Sequence, residues 1–346
     1  MNRIVLVVVG CSAAFIALGT GAMASDDTLA ERARGVIGTL PDVAESPTNP
    51  ATEARVALGR QLYFDTRLSK NQDISCNSCH RLDAFGVDGE ATSPGHRGQR
   101  GDRNSPTVYN AALHFTQFWD GRAADVEEQA SGPVTNPIEM AMPDAAAVDR
   151  VLRSIPGYAS GFAAAFPDDS DPVRFSNAAI AIAAFERTLL TPAPIDAFIA
   201  GDAAALDSAE QRGLELFLTA GCTTCHNGAA VGGAMFQKLG LVHPYETEDG
   251  GRFKVTGQEQ DRGFFKVPGL RNVAKTGPWF HDGSVATLSD AVQKMAWHQL
   301  GRKLTDAETA DLVAFLGALT GAPSAEMIAV PELPASGPGT PAPDPS

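Results

Sequence analysis

Cys76-Asn77-Ser78-Cys79-His80 and Cys222-Thr223-Thr224-Cys225-His226 decide how the rest of the chain is read. Two thiols spaced this way lie one turn apart. At that distance they can add as thioethers to the two vinyl groups of a haem, and the next residue is placed under the iron as its proximal ligand. A structural zinc site is the alternative, the two pairs supplying four thiolates. It leaves both histidines without a use, as does a disulfide. The expectation is two covalently attached haem c groups, held by Cys76, Cys79 and His80 and by Cys222, Cys225 and His226. The fifth cysteine, Cys11, lies in the first apolar stretch.

That stretch gives the compartment. Arg3, the apolar run from Ile4 to Leu18 and the small-x-small triplet Ala22-Met23-Ala24 read as a signal peptide over residues 1–24. The mature chain then starts at Ser25 in the periplasm. A lipoprotein site at Val8-Val9-Gly10-Cys11 ranks second, because cleavage there leaves an apolar mature end. The net charge of −14 argues against nucleic acid or an anionic membrane as partner. It fits a basic protein partner, or equally a merely solvated acidic surface.

The chain of 346 residues is long enough for two domains and a tail. Helices are expected over Glu53 to Phe64, Ser176 to Leu190, Leu288 to Trp297 and Thr305 to Leu319, with a capping box at Ser208-Ala209-Glu210-Gln211. Two echoes run through the sequence. Gly59-Arg60-Gln61-Leu62-Tyr63-Phe64 precedes the first cysteine pair and Gly213-Leu214-Glu215-Leu216-Phe217 the second. Pro106, Asn110, Ala112, Phe118, Asp120 and Gly121 match Pro268, Asn272, Ala274, Phe280, Asp282 and Gly283 at one constant offset. This is a duplicated unit. The fold class is all-α, two related small domains around one haem each: residues 25–190 and 191–322, divided at Thr191-Pro192-Ala193-Pro194. The Pro-rich residues 323–346 are read as a disordered tail.

The distal side of each iron decides function. Met295 follows the second motif at a distance that suits a soft ligand, or it is a core methionine of its helix. Met235 is a further candidate, while Met140, Met142 and Met327 read as core or surface residues. Where the second copy leads to Met295, the first runs on to Pro137-Ile138-Glu139. A carboxylate there could move a proton between the two oxygens of a peroxide, or be an ordinary surface glutamate. His96 lies among Gly86, Gly89, Gly95, Gly98 and Gly101, either as a distal ligand on a mobile loop or as a solvated histidine. Trp119 stands where the second copy has His281, either as a bridge between haems or as an interface side chain.

From about Ala54 to Gly321 the chain resembles the bacterial di-haem cytochrome c peroxidases. The stretches that carry the resemblance include Arg103-Asn104-Ser105-Pro106-Thr107, Gln117-Phe118-Trp119-Asp120-Gly121-Arg122, Phe185-Glu186-Arg187-Thr188-Leu189, Val267-Pro268-Gly269-Leu270-Arg271-Asn272-Val273 and Gln299-Leu300-Gly301-Arg302-Lys303-Leu304. The resemblance implies His80 and His226 as proximal ligands and Met295 as distal ligand of the electron-accepting haem. His96 is then the displaceable ligand of the peroxidatic haem, Glu139 the acid-base residue with Gln129 nearby, and Trp119 the inter-haem relay. It also implies a calcium ion on Asn104 and the backbone oxygens of Thr276 and Pro278. The implied activity is reduction of hydrogen peroxide with electrons from a cytochrome c or cupredoxin, in a homodimer. The rivals are a di-haem electron carrier and a di-haem enzyme oxidising another substrate. A related tyrosine-ligated enzyme matures tryptophan-derived cofactors, and Met295 argues against that reading.

Overall fold

Polar side chains set where the long helices begin. In the computed structural model, which describes residues 28–346, the Thr52 side chain accepts from Arg55 N at the start of the Glu53–Phe64 helix. Asp207 and Glu210 cap the Ser208–Thr219 helix reciprocally, one residue earlier than the expected box, because the Asp207 carboxylate reaches the amides of both Ala209 and Glu210. Thr305 and Glu308 do the same for Asp306–Ala318. The expected signal peptide and its cleavage site lie outside the described residues. Among those residues no helix is long and apolar enough to cross a membrane.

The glycines of the first echo now have a reason. Gly59 sits where Glu53–Phe64 crosses the Phe175–Glu186 helix, and Gly213 where Ser208–Thr219 crosses Asp306–Ala318. A Cβ at Gly59 would run into the Ala181 carbonyl, and one at Gly213 into that of Asp311. Around these crossings lie two apolar cores. The first includes Leu62, Tyr63, Tyr158, Phe162 and Ile182, and the second Leu214, Phe217, Phe315 and Leu316. Strand is confined to an antiparallel pair, Phe236–Lys238 with Phe264–Lys266. The structure is thus mainly helical, as the sequence implies.

Both ends of the chain depart from the sequence reading. Ala33 and Ile37, on the Leu29–Ile37 helix, fill the second core although they precede the first motif. Arg34 anchors that helix by donating to the Ile199 carbonyl. Residues 323–346, read as disordered, instead lie along the first unit. Met327 packs on its core, and surface side chains hold the carbonyls of Ala329, Glu332, Pro334 and Pro341. A Pro-rich segment lacks amide donors, not acceptors, so donors on another element can order it.

The second echo is structural as well. Asn110 and Asn272 share a left-handed backbone (φ 61 and 63°), as do Phe118 and Phe280 (φ 65 and 71°). The isolated bridge Gln117–Ala123 is repeated as Trp279–Val285. Both asparagine amides donate to one hydroxyl, Thr191 Oγ1, each at 2.9 Å. The two copies therefore meet at the residue between them.

The crossings make a paired prediction. Gly59→Ala should lower unfolding stability by about 1–3 kcal/mol, the range for overpacking. Gly35→Ala, in a helix with nothing within 4 Å of the added carbon, should be neutral or raise it by up to about 1 kcal/mol. Denaturant titration of both variants checks the contrast.

Candidate active site

The second motif opens on a short 3-10 turn, Cys222–Thr224, after Gly221 in a left-handed conformation (φ 101°). The turn directs Cys222, Cys225 and His226 into one largely apolar cavity. Opposite stands the Leu288–Leu300 helix, whose Leu288, Ala291, Val292 and Met295 line the same space from one helical face. Met235 does not line this cavity, although its carbonyl accepts from Val267 N at 2.9 Å. The cysteines are free thiols. Burial pushes the Cys222 thiol up to about 11 and holds the His226 imidazole down to about 4, opposed by the nearby carbonyls of Val231 and Pro268. His226 Nδ1 is buried without a hydrogen bond of ordinary geometry. Two neutral thiols, a neutral imidazole and a thioether around an apolar cavity fit a covalently attached haem.

In the first unit Cys76–Cys79 form a helical turn, and the His80 amide returns to the Cys76 carbonyl at 2.9 Å. The His80 ring is fixed by Nδ1 against the Pro106 carbonyl at 3.0 Å. A backbone acceptor of this kind turns the other ring nitrogen outward as a ligand. Tyr63, on the glycine-crossed helix, donates to the His80 carbonyl at 2.7 Å. Burial raises the Cys76 thiol and takes that of Cys79 up to about 11. It also lifts the buried Glu186 carboxyl to about 8, with Glu127 adding to the effect. The sequence reading quoted Glu186 only within a matching stretch and gave it no role.

The distal candidates of this unit come together through the backbone. His96 is buried in the loop, and its amide donates to the Glu139 carbonyl at 2.7 Å. Gly95 is required beside it, since a Cβ there would strike the Ile138 carbonyl. The Glu139 carboxyl is raised by burial, against the opposing pull of Arg122 and the Asn136 side chain. Gln129 belongs to the Val126–Thr135 helix, whose last turn leads through Asn136 into Glu139. His96 Nε2 lies 3.1 Å from the main-chain oxygen of Ser346.

Between the units, Trp119 lines the second cavity. Its Nε1 donates to the Asn104 carbonyl at 2.9 Å, and its ring meets His281 edge-on at 6.5 Å. Asn104, Thr276 and Pro278 border the same cavity. Among the described residues no cluster of three or more His, Cys, Asp or Glu side chains could hold a metal. A cation there would depend on amide and carbonyl oxygens. The sequence reading missed one pair altogether: Lys266 Nζ lies 3.0 Å from His114 Nδ1 at this wall. Burial lowers Lys266 to about 7, with Asp120 opposing. A lone lysine in the apolar run Phe264 to Pro268 was the available signal.

The chain resembles known proteins along most of its length. Residues 53–204 match the family described as di-haem cytochrome c peroxidase, and residues 210–320 match cytochrome c. The chain is 43% identical to the cytochrome c551 peroxidase of Pseudomonas aeruginosa, over 93% of this chain and 94% of that one. It is 48% identical to the cytochrome c551 peroxidase of Nitrosomonas europaea, over 79% and 81%. The methylamine utilization protein MauG of Methylorubrum extorquens is 34% identical, over 84% and 85%. Among solved structures, a MauG-like protein associated with microbial copper homeostasis superposes with a TM-score of 0.75 at 31% identity, covering 84% of this chain and 97% of that one. With one cytochrome c-type haem c site in each half, the chain belongs to the di-haem cytochrome c peroxidase family and is an oxidoreductase of the cytochrome-c peroxidase type.

Proposed function

We propose that the chain reduces hydrogen peroxide to two waters, taking up two electrons and two protons, with the electrons supplied by a small redox protein. Electrons enter at the Cys222/Cys225 unit, capped by Met295, and peroxide is cleaved at the Cys76/Cys79 unit. The observation that carries this reading is the His96–Glu139 backbone contact. It brings a histidine and an acid with a raised pKa to one place, in the unit that has no counterpart of Met295. A di-haem carrier needs neither residue.

Haem held in the two units would relay the donor's electrons and offer an iron to peroxide. The protein does the rest. His80 and His226 hold the proximal sides. His96 would be the displaceable ligand that gives up its place to peroxide. The Glu139 carboxylate would take a proton from one peroxide oxygen and deliver it to the other, which departs as water. Gln129 orients the peroxide from the adjoining helix. Trp119 bridges the units, and Asn104 with the carbonyls of Thr276 and Pro278 holds a calcium ion, whose preference is for oxygen donors. The donor is a cytochrome c or cupredoxin whose basic face suits the acidic chain. The reading places the enzyme in the periplasm as a homodimer.

Four measurements follow from these assignments. The intact mass of the denatured protein should equal the chain from Ser25 plus two haems; one haem, or zinc instead, contradicts the attachment. Glu139→Ala should keep both haem spectra and slow peroxide cleavage by roughly 10²–10⁴-fold, and normal turnover would remove it from the mechanism. In the parent enzyme cleavage should fall as pH drops through the Glu139 pKa, because only the carboxylate accepts the proton. That fall should come at a higher pH than for an ordinary glutamate, since burial raises the group; a rate flat through the acid range opposes the assignment. Met295→Ala should lower the potential of one haem only and slow donor oxidation.

A further inference from the structure

The Pro-rich residues beyond 322 take no part in the reaction proposed above, yet they are held along a defined path. Arg60 donates to the carbonyls of Glu326 and Ala329, the latter at 2.7 Å. Gln61 donates to Glu332 O at 3.2 Å, Arg67 to Pro334 O at 2.9 Å and Gln72 to Pro341 O at 2.7 Å. Arg60 and Gln61 lie on the glycine-crossed helix, and Arg67 and Gln72 between it and the first haem motif. The path ends beside the loop that carries His96. The Asp344 amide donates to the Lys70 carbonyl at 3.0 Å. Lys70 Nζ in turn reaches Ser346 O at 2.6 Å and Asp344 Oδ2 at 3.6 Å. That same Ser346 oxygen is 3.1 Å from His96 Nε2.

A main-chain oxygen only accepts, so the Nε2 that faces it must carry a proton and donate. A protonated Nε2 has no lone pair for a metal. Contact with Ser346 and ligation through Nε2 are therefore mutually exclusive. The backbone around His96 is fixed on its other side by the Glu139 carbonyl and by the Gly95–Ile138 approach. The buried imidazole thus has a defined hydrogen-bond partner in the Ser346 oxygen.

We infer that residues 332–346 form a strap that catches His96 by Nε2 when it leaves the iron and so keeps the peroxide site open, with Lys70, Asp344 and Ser346 as positioning residues. This rests on the reading of His96 as the displaceable ligand. A ligand can shift an equilibrium only through its differential interaction with the two states, and here the differential contact is the Ser346 hydrogen bond. One such bond, net of competition with water, changes the ratio of released to bound histidine by about 2–10-fold.

The test uses the holoprotein with its second haem reduced. The fraction of the first haem in the open, high-spin form is read by electron paramagnetic resonance, and the peroxide-binding rate by stopped flow. The strap is altered by deleting residues 342–346 and, separately, by Lys70→Ala, which leaves the chain intact. Each change is made with His96 present and in His96→Gly. With His96 present, both changes should lower the ratio of open to closed form, and the binding rate with it, by about 2–10-fold. In His96→Gly neither should have an effect, because there is no histidine to catch. An unchanged ratio in both variants, or an equal fall in His96→Gly, overturns the strap. If, in the fully oxidised protein, His96→Gly alone leaves the first haem's spectrum as in the parent protein, His96 is not a ligand, and both the strap and the reading beneath it fall. A changed His96→Gly spectrum with a silent strap condemns the strap alone.

Discussion

Each half of this protein depends on two helices crossing at a glycine. At Gly59 and again at Gly213 a helix lies so close to its neighbour that a methyl group would meet a carbonyl oxygen. Haem attachment needs two thiols and an imidazole presented to one face, and the turn that presents them is too short to define its own orientation. The crossing helix defines it. Glu53–Phe64 carries Tyr63, which holds the His80 carbonyl, and Ser208–Thr219 carries Phe217, which walls the second cavity.

Upon this repeated frame the two distal sides diverge. The second unit offers a thioether from the inner face of the Leu288–Leu300 helix. The first places a buried histidine and a carboxyl of raised pKa on one loop contact. A soft neutral ligand favours electron transfer, and a removable ligand beside a proton carrier favours bond cleavage. Thr191 joins the copies by accepting from Asn110 and Asn272 at once, and Trp119 lies at the wall between them.

Most of this was legible in the sequence because its signals are local. The cysteine motifs, the caps and the apolar faces each lie within a few residues, and the Glu53–Phe64 helix begins and ends where its pattern predicts. The repeat offset also paired Asn110 with Asn272, and the structure gives both a left-handed backbone. What escaped depends on partners distant in the chain. Nothing near Ala33 and Ile37 tells which core will receive them. The composition of residues 323–346 shows that they cannot build a core, but not that Arg60, Arg67 and Gln72 will hold their carbonyls. Lys266 looks like an interruption in a strand until folding sets it beside His114. His96 and Glu139 were singled out one by one, and only the tertiary structure joins their backbones.

The central claim is that the two units differ in role. It is tested most directly by mixing the half-reduced protein with peroxide in a stopped-flow spectrometer while following both haems. The account predicts a first change at the Cys76/Cys79 haem, at a rate proportional to peroxide, with the electron stored at the Cys222/Cys225 haem consumed in the same turnover. A reaction that begins at the Cys222/Cys225 haem, or no reaction until both haems are reduced, would contradict it.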